Sequence, residues 1–218
     1  MAAKKQHNGS TEAQIKEAAR RVFTSKGFAA TRTRDIAEES GVNLALINYY
    51  FRSKENLYNI IMVEQVQLFL HSVTGILNDP QTTLFTKLEL AIDHYIDMLI
   101  ANPGLPIFIM NEVNTNPEKL VEKVGFGNHN AAQLYIAKQW AEMTFSGEIQ
   151  PIHPLHLISN VVSLTVFPFI AAPLLRNRSG LSVSDYNELM KQRKALIPHW
   201  VRTMLTTPGP DSLNTKQS

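Results

Sequence analysis

The 218-residue chain contains no cysteine, and 18% of its residues are charged while 44% are hydrophobic. These values exclude a disulfide framework and a thiolate metal site, and they predict a substantial apolar core. The net charge of +2 is unevenly distributed: residues 1–58 hold ten Lys and Arg against six Asp and Glu, a balance of +4, and residues 59–218 hold 11 against 13, a balance of −2. A basic N-terminal module is suited to phosphate contact.

The sequence predicts a cytoplasmic protein. No apolar run reaches about 18 residues, so no transmembrane span is expected. The N-terminus is polar and lacks the apolar segment of a signal peptide.

Four helices are predicted in the first third of the chain. Residues 1–10 are polar and basic and predict a flexible arm. Ser10 or Thr11 can cap a first helix that ends at Gly27, and a second helix starts within residues 31–33 and ends at Gly41. Asn43 is the expected cap of a third helix. Ser53 is the expected cap of a long fourth helix that runs to about residue 77.

The rest of the chain predicts further helices and no strands. Helical spacing covers residues 84–101 and 105–112, and it resumes from about 118 to 144 with a looser stretch at 125–127. Residues 155–175 are very apolar, and Pro168 and Pro173 predict a kink there. Ser182 or Ser184 can cap a last helix that ends near residue 205. The fold class is all-α with nine or ten helices, divided into residues 1–57, residues 58–206 and a disordered tail of residues 207–218.

The stretch from Thr33 to Lys54, TRDIAEESGVNLALINYYFRSK, has the spacing of a helix-turn-helix. Two short helices that cross steeply need a small residue at the crossing and a turn residue that tolerates positive φ, which Ala37 and Gly41 supply. The expected apolar residues that pack between them are Ile36, Val42, Ile47 and Tyr50. The second helix of the pair is then free to present its other face to a DNA major groove.

These residues and their flanks resemble a known family. The resemblance covers about 45 residues and rests on Phe23, Gly27-Phe28, Thr31, Asp35-Ile36-Ala37, Gly41-Val42, Ile47, Tyr49-Tyr50-Phe51, Lys54-Glu55 and Leu57. This pattern is similar to the N-terminal signature of TetR-type bacterial transcriptional regulators. Asn48 stands where many members have Tyr, and Tyr49 stands where many have His, so the operator sequence does not follow from the resemblance.

The resemblance implies a homodimer that binds a near-palindromic, double-stranded DNA operator through two reading helices. It also implies a C-terminal body with a small-molecule pocket and the dimer interface. An effector bound there would release the protein from DNA, and linkage requires DNA to weaken effector binding by the same factor. No other cofactor and no membrane partner are expected.

Base reading and phosphate contact are expected from different residues. Asn48 can bond bidentately to adenine, Tyr49 can reach a phosphate or a thymine methyl, and Leu44 and Ala45 offer apolar contact to thymine methyls. Arg34 can reach guanine or phosphate. Thr33 and Asn43 stand at helix N-termini, where amides point outward, and Lys54 matches a family position that contacts phosphate. Asn43 can equally be only a cap, and Arg34 only a surface charge.

The body holds large side chains and polar groups that could line an effector pocket. The candidates are His94, Tyr95, Met98, Phe108, Asn111, Phe126, Trp140 and Phe167. Each aromatic or Met among them can equally be a core residue, because every such helix must bury a face.

Two further patterns concern the C-terminal part. The segment 155–175 and the stripe Leu189, Leu196, Ile197, Trp200, Val201 and Leu205 predict a dimer interface built as a four-helix bundle. His153 and His156 form an HxxH pattern, but a structural metal site needs three or four ligands, so a capping or surface role is the better interpretation. No catalytic or metal-binding residues are predicted, and an enzyme is poorly supported.

Two alternatives to an effector-controlled repressor stay open at this point. One is a DNA-binding regulator without a small-molecule switch. The other is a helical binding protein whose helix-turn-helix is vestigial.

Overall fold

The computed structural model describes residues 2–115, 117–125 and 134–208, and within them it contains eleven helices and no strand. The helices are α1 (Ala2–Ala30), α2 (Thr33–Ser40), α3 (Leu44–Phe51), α4 (Lys54–Asn78), α5 (Leu84–Ala101), α6 (Leu105–Thr115), α7 (Pro117–Val124), α8 (Tyr135–Phe145), α9 (Pro154–Ile170), α10 (Ala172–Ser179) and α11 (Val183–Thr206). The all-α prediction is confirmed.

The chain forms two compact units. The first contains residues 1–68 and 101–124, and the second contains residues 69–100 and 125–218. The helices α6 and α7 therefore belong with the first unit. Helix α4 contributes its residues up to Leu68 to the first unit and the remainder to the second.

Helix α1 differs from the prediction at its N-terminal end. It extends back to Ala2, across the segment predicted as a flexible arm, and no proline interrupts this segment. Gly27, the predicted end of the helix, leaves helical geometry with φ 75° and ψ 163°. A short further helical segment follows this break and ends at Ala30.

The predicted caps of three later helices are confirmed. The side chain of Asn43 accepts a hydrogen bond from the amide of Ala45 at 2.9 Å, and that of Ser182 accepts from the amide of Asp185 at 3.1 Å. Ser53 Oγ accepts from the amide of Asn56 at 3.1 Å. Each cap satisfies an amide that the first helical turn leaves without a partner.

The core of the second unit is built mainly from α5 and α11. It contains Leu84, Leu88, Ile92, Ile96, Leu99, Ile149, Leu157, Phe169, Tyr186, Met190, Ile197, Val201 and Leu205. Helix α5 contributes at intervals of three and four residues, as predicted for one buried helical face.

The predicted single stripe on α11 is wrong. Ile197, Val201 and Leu205 are buried in the core, while Leu189, Leu196 and Trp200 are each about two-fifths exposed. Successive residues on a helix are about 100° apart, so Leu196 and Ile197 belong to different faces. Helix α11 therefore has a core face and a second, exposed apolar face.

The kink predicted in the apolar segment is present. Helices α9 and α10 meet at Ala171 with a bend of 60°, with Pro168 inside α9 and Pro173 in the first turn of α10. Proline has no backbone N–H, so Pro168 cannot donate to the carbonyl of Leu164. The Arg193 side chain of α11 donates to that carbonyl instead, at 2.9 Å.

Among the helices in the described part of the chain, one is long and apolar enough to cross a membrane when judged by length and composition alone. This is α4, and α9 with α10 would qualify if the bent pair were counted as one span. In the first unit, α4 buries Leu57, Ile61 and Val66, and its Glu64 pairs with Lys16 of α1 at 2.7 Å. These contacts are those of a helix in a folded domain.

Candidate nucleic-acid interface

Helices α2 and α3 form the predicted helix-turn-helix. Gly41 adopts the left-handed conformation, with φ 66°, and its amide donates to the carbonyl of Glu38 at 3.3 Å. Ile36, Ile47 and Phe51 are at most 2% exposed and pack the pair against the rest of the first unit. Val42 and Tyr50, also predicted to be buried, are only half-buried.

The outward face of α3 carries the predicted reading residues. Leu44, Ala45, Asn48 and Tyr49 are all exposed, and Tyr49 is 75% exposed. Ile47 and Phe51 occupy the inward side, so this face of α3 is directed away from the core of the first unit. Helix α3 therefore exposes the side-chain amide of Asn48, the phenol of Tyr49 and the apolar side chains of Leu44 and Ala45.

Two exposed residues beside this face, Leu46 and Arg52, were not predicted from the sequence. Leu46, in the first turn of α3, is 40% exposed. Arg52 ends α3 with φ 64°, the only positive φ among the described non-glycine residues. Its amide donates to the carbonyl of Asn48 at 2.9 Å. The break in helical spacing between Phe51 and Lys54 was the sequence signal that Arg52 lies at the exposed end of α3.

The start of α2 is fixed by an acidic side chain. The Asp35 carboxylate accepts from the amide of Arg32 at 2.8 Å and pairs with Lys26 at 3.2 Å. The hydrogen bond from the Arg32 amide and the contact with Lys26 lower the pKa of Asp35. Arg34 is exposed and Thr33 is half-buried, both in the first turn of α2.

The ammonium group of Lys54 lies against the first unit itself. Its Nζ donates to the carbonyls of Phe28 and Thr31 at 3.0 and 2.9 Å, and it lies 4.3 Å from the centroid of the Phe28 ring. Lys54 therefore joins the start of α4 to the segment between α1 and α2. The contact of Lys54 with phosphate stays a prediction.

Polar contacts hold α1 to its neighbours. Lys16 and Arg20 of α1 lie 2.7 and 3.6 Å from the carboxylate of Glu64 on α4, and Arg21 pairs with Glu39 of α2 at 2.7 Å. Exposed pairs of this kind stabilise by up to about 1 kcal/mol each. These ion pairs help to orient α1, whose position is already fixed by its buried apolar residues.

An aromatic cluster connects α6 to the helices beneath the helix-turn-helix. The Tyr58 ring on α4 packs against Phe23 and Phe28 at 5.0 and 4.7 Å between centroids, and against Phe108 of α6 at 6.1 Å. Its hydroxyl donates to the carbonyl of Gly104 at 3.3 Å. Burial raises the pKa of Tyr58. Helix α6 is thus packed onto α4 through Tyr58, which also contacts Phe23 of α1.

The predicted effector-pocket residues are distributed over both units. In the second unit, the rings of His94 and Tyr95 lie 5.7 and 4.6 Å from that of Phe69, and burial raises the pKa of Tyr95 to about 12. Met98 and Trp140 are half-buried against the core of that unit.

The other predicted pocket residues have different surroundings. Phe108 is buried in the first unit and Asn111 is exposed on α6, whereas Phe167 is 63% exposed on α9. Phe126 lies outside the described residues. The pocket therefore stays a prediction, best supported by the group around Phe69.

His153 has a local structural role. It is the N-cap of α9, and its Nδ1 accepts from the amide of Leu155 at 3.2 Å. This agrees with the capping role preferred from the sequence. Within the described residues, no group of three or more His, Cys, Asp or Glu is arranged to hold a metal ion.

Comparison with known proteins agrees with this geometry. The family model described as bacterial regulatory proteins of the tetR family matches residues 15–60. The HTH-type transcriptional regulator RutR of Escherichia coli K12 is 24% identical over 204 residues, covering 86% of this chain and 89% of RutR. The uncharacterized HTH-type transcriptional regulator YfiR of Bacillus subtilis is 40% identical over 58 residues, which is 27% of this chain and 28% of YfiR.

A solved structure shares the fold. The crystal structure of a putative TetR-family transcriptional regulator from Mesorhizobium loti matches with a TM-score of 0.57 and 20% identity, covering 92% of this chain and 98% of that one. The family match falls on the residues that build the helix-turn-helix, and the similarity to RutR extends over most of the chain. The N-terminal residues 15–60 match the TetR family of bacterial regulatory proteins, and the chain is a helix-turn-helix transcriptional regulator.

Proposed function

We propose that this regulator is a homodimeric repressor that binds a near-palindromic operator and leaves it when a small-molecule effector binds. The exposed face of α3 is the observation that carries the DNA-binding part of this proposal. Two such faces, one from each protomer, can enter successive major grooves. Regulators among the relatives support the same activity.

Within each half-site, Asn48 is proposed to read adenine, with Leu44 and Ala45 against thymine methyls. Tyr49, exposed beside Asn48, is proposed to contact a phosphate or a thymine methyl. Phosphate contacts are assigned to the first turns of α2 and α3 and to the start of α4. Their residues are Thr33, Arg34, Asn43 and Lys54.

The dimer is proposed to form through α9 and α11. Leu155, Ile158 and Val162 lie one and two turns apart on α9 and are 40–61% exposed. Leu189, Leu196 and Trp200 form the exposed apolar face of α11. Contiguous apolar surface of this kind mostly marks an interface, and two α9–α11 pairs would bury it in a four-helix bundle.

The effector is proposed to bind in the body and to act through α6 and α4. The group of His94, Tyr95 and Phe69 supports a pocket that combines aromatic walls with a few polar groups. The packing of α6 onto Tyr58 supports a route by which a displaced α6 would reorient the DNA-binding helices. For this switch, the effector must prefer the conformer that does not bind DNA.

No catalytic role, resident cofactor or metal is part of the proposal, and the protein is proposed to act in the cytoplasm on double-stranded DNA. The named relatives are transcriptional regulators, which supports this assignment.

A mobility-shift assay with DNA from upstream of the protein's own gene tests the proposal. We expect specific binding that weakens steeply as salt rises, because phosphate contacts release counterions. Binding that equals that of unrelated DNA at every salt concentration would contradict it. To test the effector, the assay is repeated with the substrates of proteins encoded by neighbouring genes. A ligand that acts as the effector must lower the affinity of the protein for its operator.

A further inference from the structure

The link between α3 and α4 is built on an uncommon backbone turn at Arg52. Arg52 has φ 64° and ψ −47°, and the amide of Ser53 donates to the carbonyl of Phe51 at 2.7 Å, so that the bond closes around Arg52. A three-residue turn closed in this way around a positive φ is the strained form of the γ-turn, which is rare in proteins. Arg52 therefore holds a backbone conformation that is unfavourable for a residue with a side chain.

Hydrogen bonds on both sides hold this turn in place. The amide of Arg52 donates to the carbonyl of Asn48 at 2.9 Å and so continues the hydrogen-bond ladder of α3. The carbonyl of Phe51 also accepts from the side-chain amide of Asn56 at 3.1 Å. The hydroxyl of Ser53 accepts from the backbone amide of Asn56 at 3.1 Å. Strained conformations persist where the surrounding structure fixes them in this manner, and they cluster at functional sites.

Arg52 lies on the outward face of α3. Its hydrogen bond to the Asn48 carbonyl places it one helical turn after Asn48. Four exposed residues follow the spacing i, i+3, i+4 and i+7, namely Ala45, Asn48, Tyr49 and Arg52. Residues at this spacing share one helical face. Arg52 thus extends the face that carries the proposed reading residues.

The guanidinium group of Arg52 is available to an external anion. Within the described part of the chain, its side chain has no ion pair and no hydrogen bond. Arg21 of α1, by contrast, is exposed and pairs with Glu39 of α2 at 2.7 Å. The positive charge of Arg52 is therefore not used to hold the first unit together.

Glycine would suit this backbone position better than arginine. Glycine adopts a positive φ without strain, whereas a residue with a Cβ in such a conformation destabilises the fold. Gly27 and Gly41, in the same unit, supply the other positive φ angles there, at 75° and 66°. The side chain of Arg52 therefore has a role that the turn itself does not require.

We propose that Arg52 contacts an operator phosphate and that the strained turn is retained for this contact. In helix-turn-helix proteins the N-terminal part of the reading helix contacts base edges. The C-terminal end of α3 then approaches the sugar-phosphate backbone, and a planar guanidinium can donate bidentately to phosphate oxygens. The proposal rests on the DNA-binding face proposed for α3, and it adds a contact that anchors the far end of that helix.

Three substitutions at Arg52 separate the side chain from the backbone. Arg52→Ala removes the charge and keeps the positive φ, Arg52→Gly removes the charge and the strain, and Arg52→Lys keeps the charge. Arg52→Ala and Arg52→Gly should each weaken binding to operator and to unrelated DNA about tenfold. Both should lower the salt slope of binding by about one, whereas Arg52→Lys should keep the slope. Lys119→Ala, which removes an exposed charge on α7, should change neither quantity.

Thermal melts measure the strain without DNA. Arg52→Gly should unfold at a higher temperature than Arg52→Ala, because only glycine adopts φ 64° without strain. A positive charge at the end of α3 also favours the helix dipole. If that were the only role of Arg52, both variants would have a lower Tm than the wild type and an unchanged salt slope.

The salt slope on the two DNAs decides the outcome. If Arg52→Ala and Arg52→Gly keep the wild-type slope, Arg52 does not contact phosphate and the proposal is overturned. If Arg52→Gly unfolds at a lower temperature than Arg52→Ala, the turn is not strained and arginine has no cost there. Unrelated DNA also binds through its phosphates, so the slope is measurable even if no specific operator is found. Failure of the proposed repressor function therefore stays distinct from failure of the Arg52 contact.

Discussion

Asn48 and Lys54 illustrate how similar polar residues near one helix obtain different roles from their surroundings. Asn48 is exposed on the outward side of α3, so its amide is available to a base edge. Lys54 is half-buried at the start of α4, where two backbone carbonyls accept from its ammonium group. The surroundings of Asn48 favour contact with a base, and those of Lys54 favour a structural role that joins α4 to the rest of the domain.

Asn48→Ala should reduce discrimination between operators more than it reduces non-specific affinity. A bidentate amide–adenine contact is worth about 1–3 kcal/mol against the wrong base. Titrating the variant against the operator and against versions with single base changes measures this. Asn59→Ala, an exposed asparagine on α4, is the matched control. If the variant binds all sequences equally more weakly, Asn48 does not read a base.

Lys54→Ala should weaken binding to all sequences about equally and lower the salt slope by about one. It should also lower the stability of the first unit by about 1–3 kcal/mol, because the carbonyls of Phe28 and Thr31 lose their donor. Thermal melts and salt titrations measure the two effects independently, with Lys119→Ala as an exposed control. An unchanged salt slope with a lower Tm would leave Lys54 a purely structural role.

Asp35 should contribute to the acid side of the stability profile. Its pKa is lowered in the folded state, so its stabilising contribution is present above the unfolded pKa and is lost as pH falls through the lowered value. Asp35→Asn should therefore reduce the loss of Tm between about pH 5 and pH 2. The exposed neighbour Glu38→Gln is the control. Parallel curves for wild type and Asp35→Asn would show that the Asp35 charge is unimportant for folding.

At the scale of the element, the contact between α6 and α4 depends on a glycine. A Cβ at Gly104 would stand 2.5 Å from the hydroxyl oxygen of Tyr58, closer than van der Waals contact allows. Glycine there lets the start of α6 approach the Tyr58 ring, which also packs against α1. This close approach makes α6 part of the same compact unit as the helix-turn-helix.

Gly104→Ala should therefore destabilise the first unit by about 1–3 kcal/mol, as overpacking does. Tyr58→Phe removes the clashing oxygen and should restore much of the loss in the double variant. Gly75→Ala is the contrast, because nothing lies within 4 Å of its Cβ and a helical Gly to Ala change stabilises by about 0.5–1 kcal/mol. Additive effects of Gly104→Ala and Tyr58→Phe in denaturant melts would contradict the proposed contact.

At the scale of the whole molecule, exposed apolar surface is concentrated on the last helices. Helix α11 buries one face in the core of the second unit and leaves Leu189, Leu196 and Trp200 exposed, while α9 leaves Leu155, Ile158 and Val162 exposed. Exposed apolar side chains gathered on neighbouring helices mostly mark an interface. The proposed dimer covers these side chains, and a two-fold axis would also set the spacing of the two reading helices.

Leu196→Glu should convert the dimer to monomer at micromolar concentration, because it places a charge inside an apolar interface. Leu68→Glu changes a more exposed leucine, on α4, and should leave the dimer intact. Light scattering measures the mass, and circular dichroism confirms that both variants stay helical. If the wild type is monomeric, or if both variants remain dimeric, the proposed interface is wrong.

Much of the helix-turn-helix could be predicted because its signals are local. A left-handed turn requires Gly41, an exposed first-turn amide selects Asn43 as a cap, and the positions of Ile36 and Ile47 follow from helical periodicity. Each of these requirements is met by residues within one or two turns of each other. The prolines of the α9–α10 segment predicted its kink for the same reason.

What only the tertiary structure decided involves residues that are far apart in the chain. The sequence by itself determined the all-α class, the helix-turn-helix and the outward residues of α3. The fold decided that Lys54 bonds to carbonyls 23 and 26 residues earlier, and that α6 packs on Tyr58, 46 residues before Gly104. It also divided the apolar residues of α11 between core and surface, because which stripe is buried depends on the partner helices that cover it.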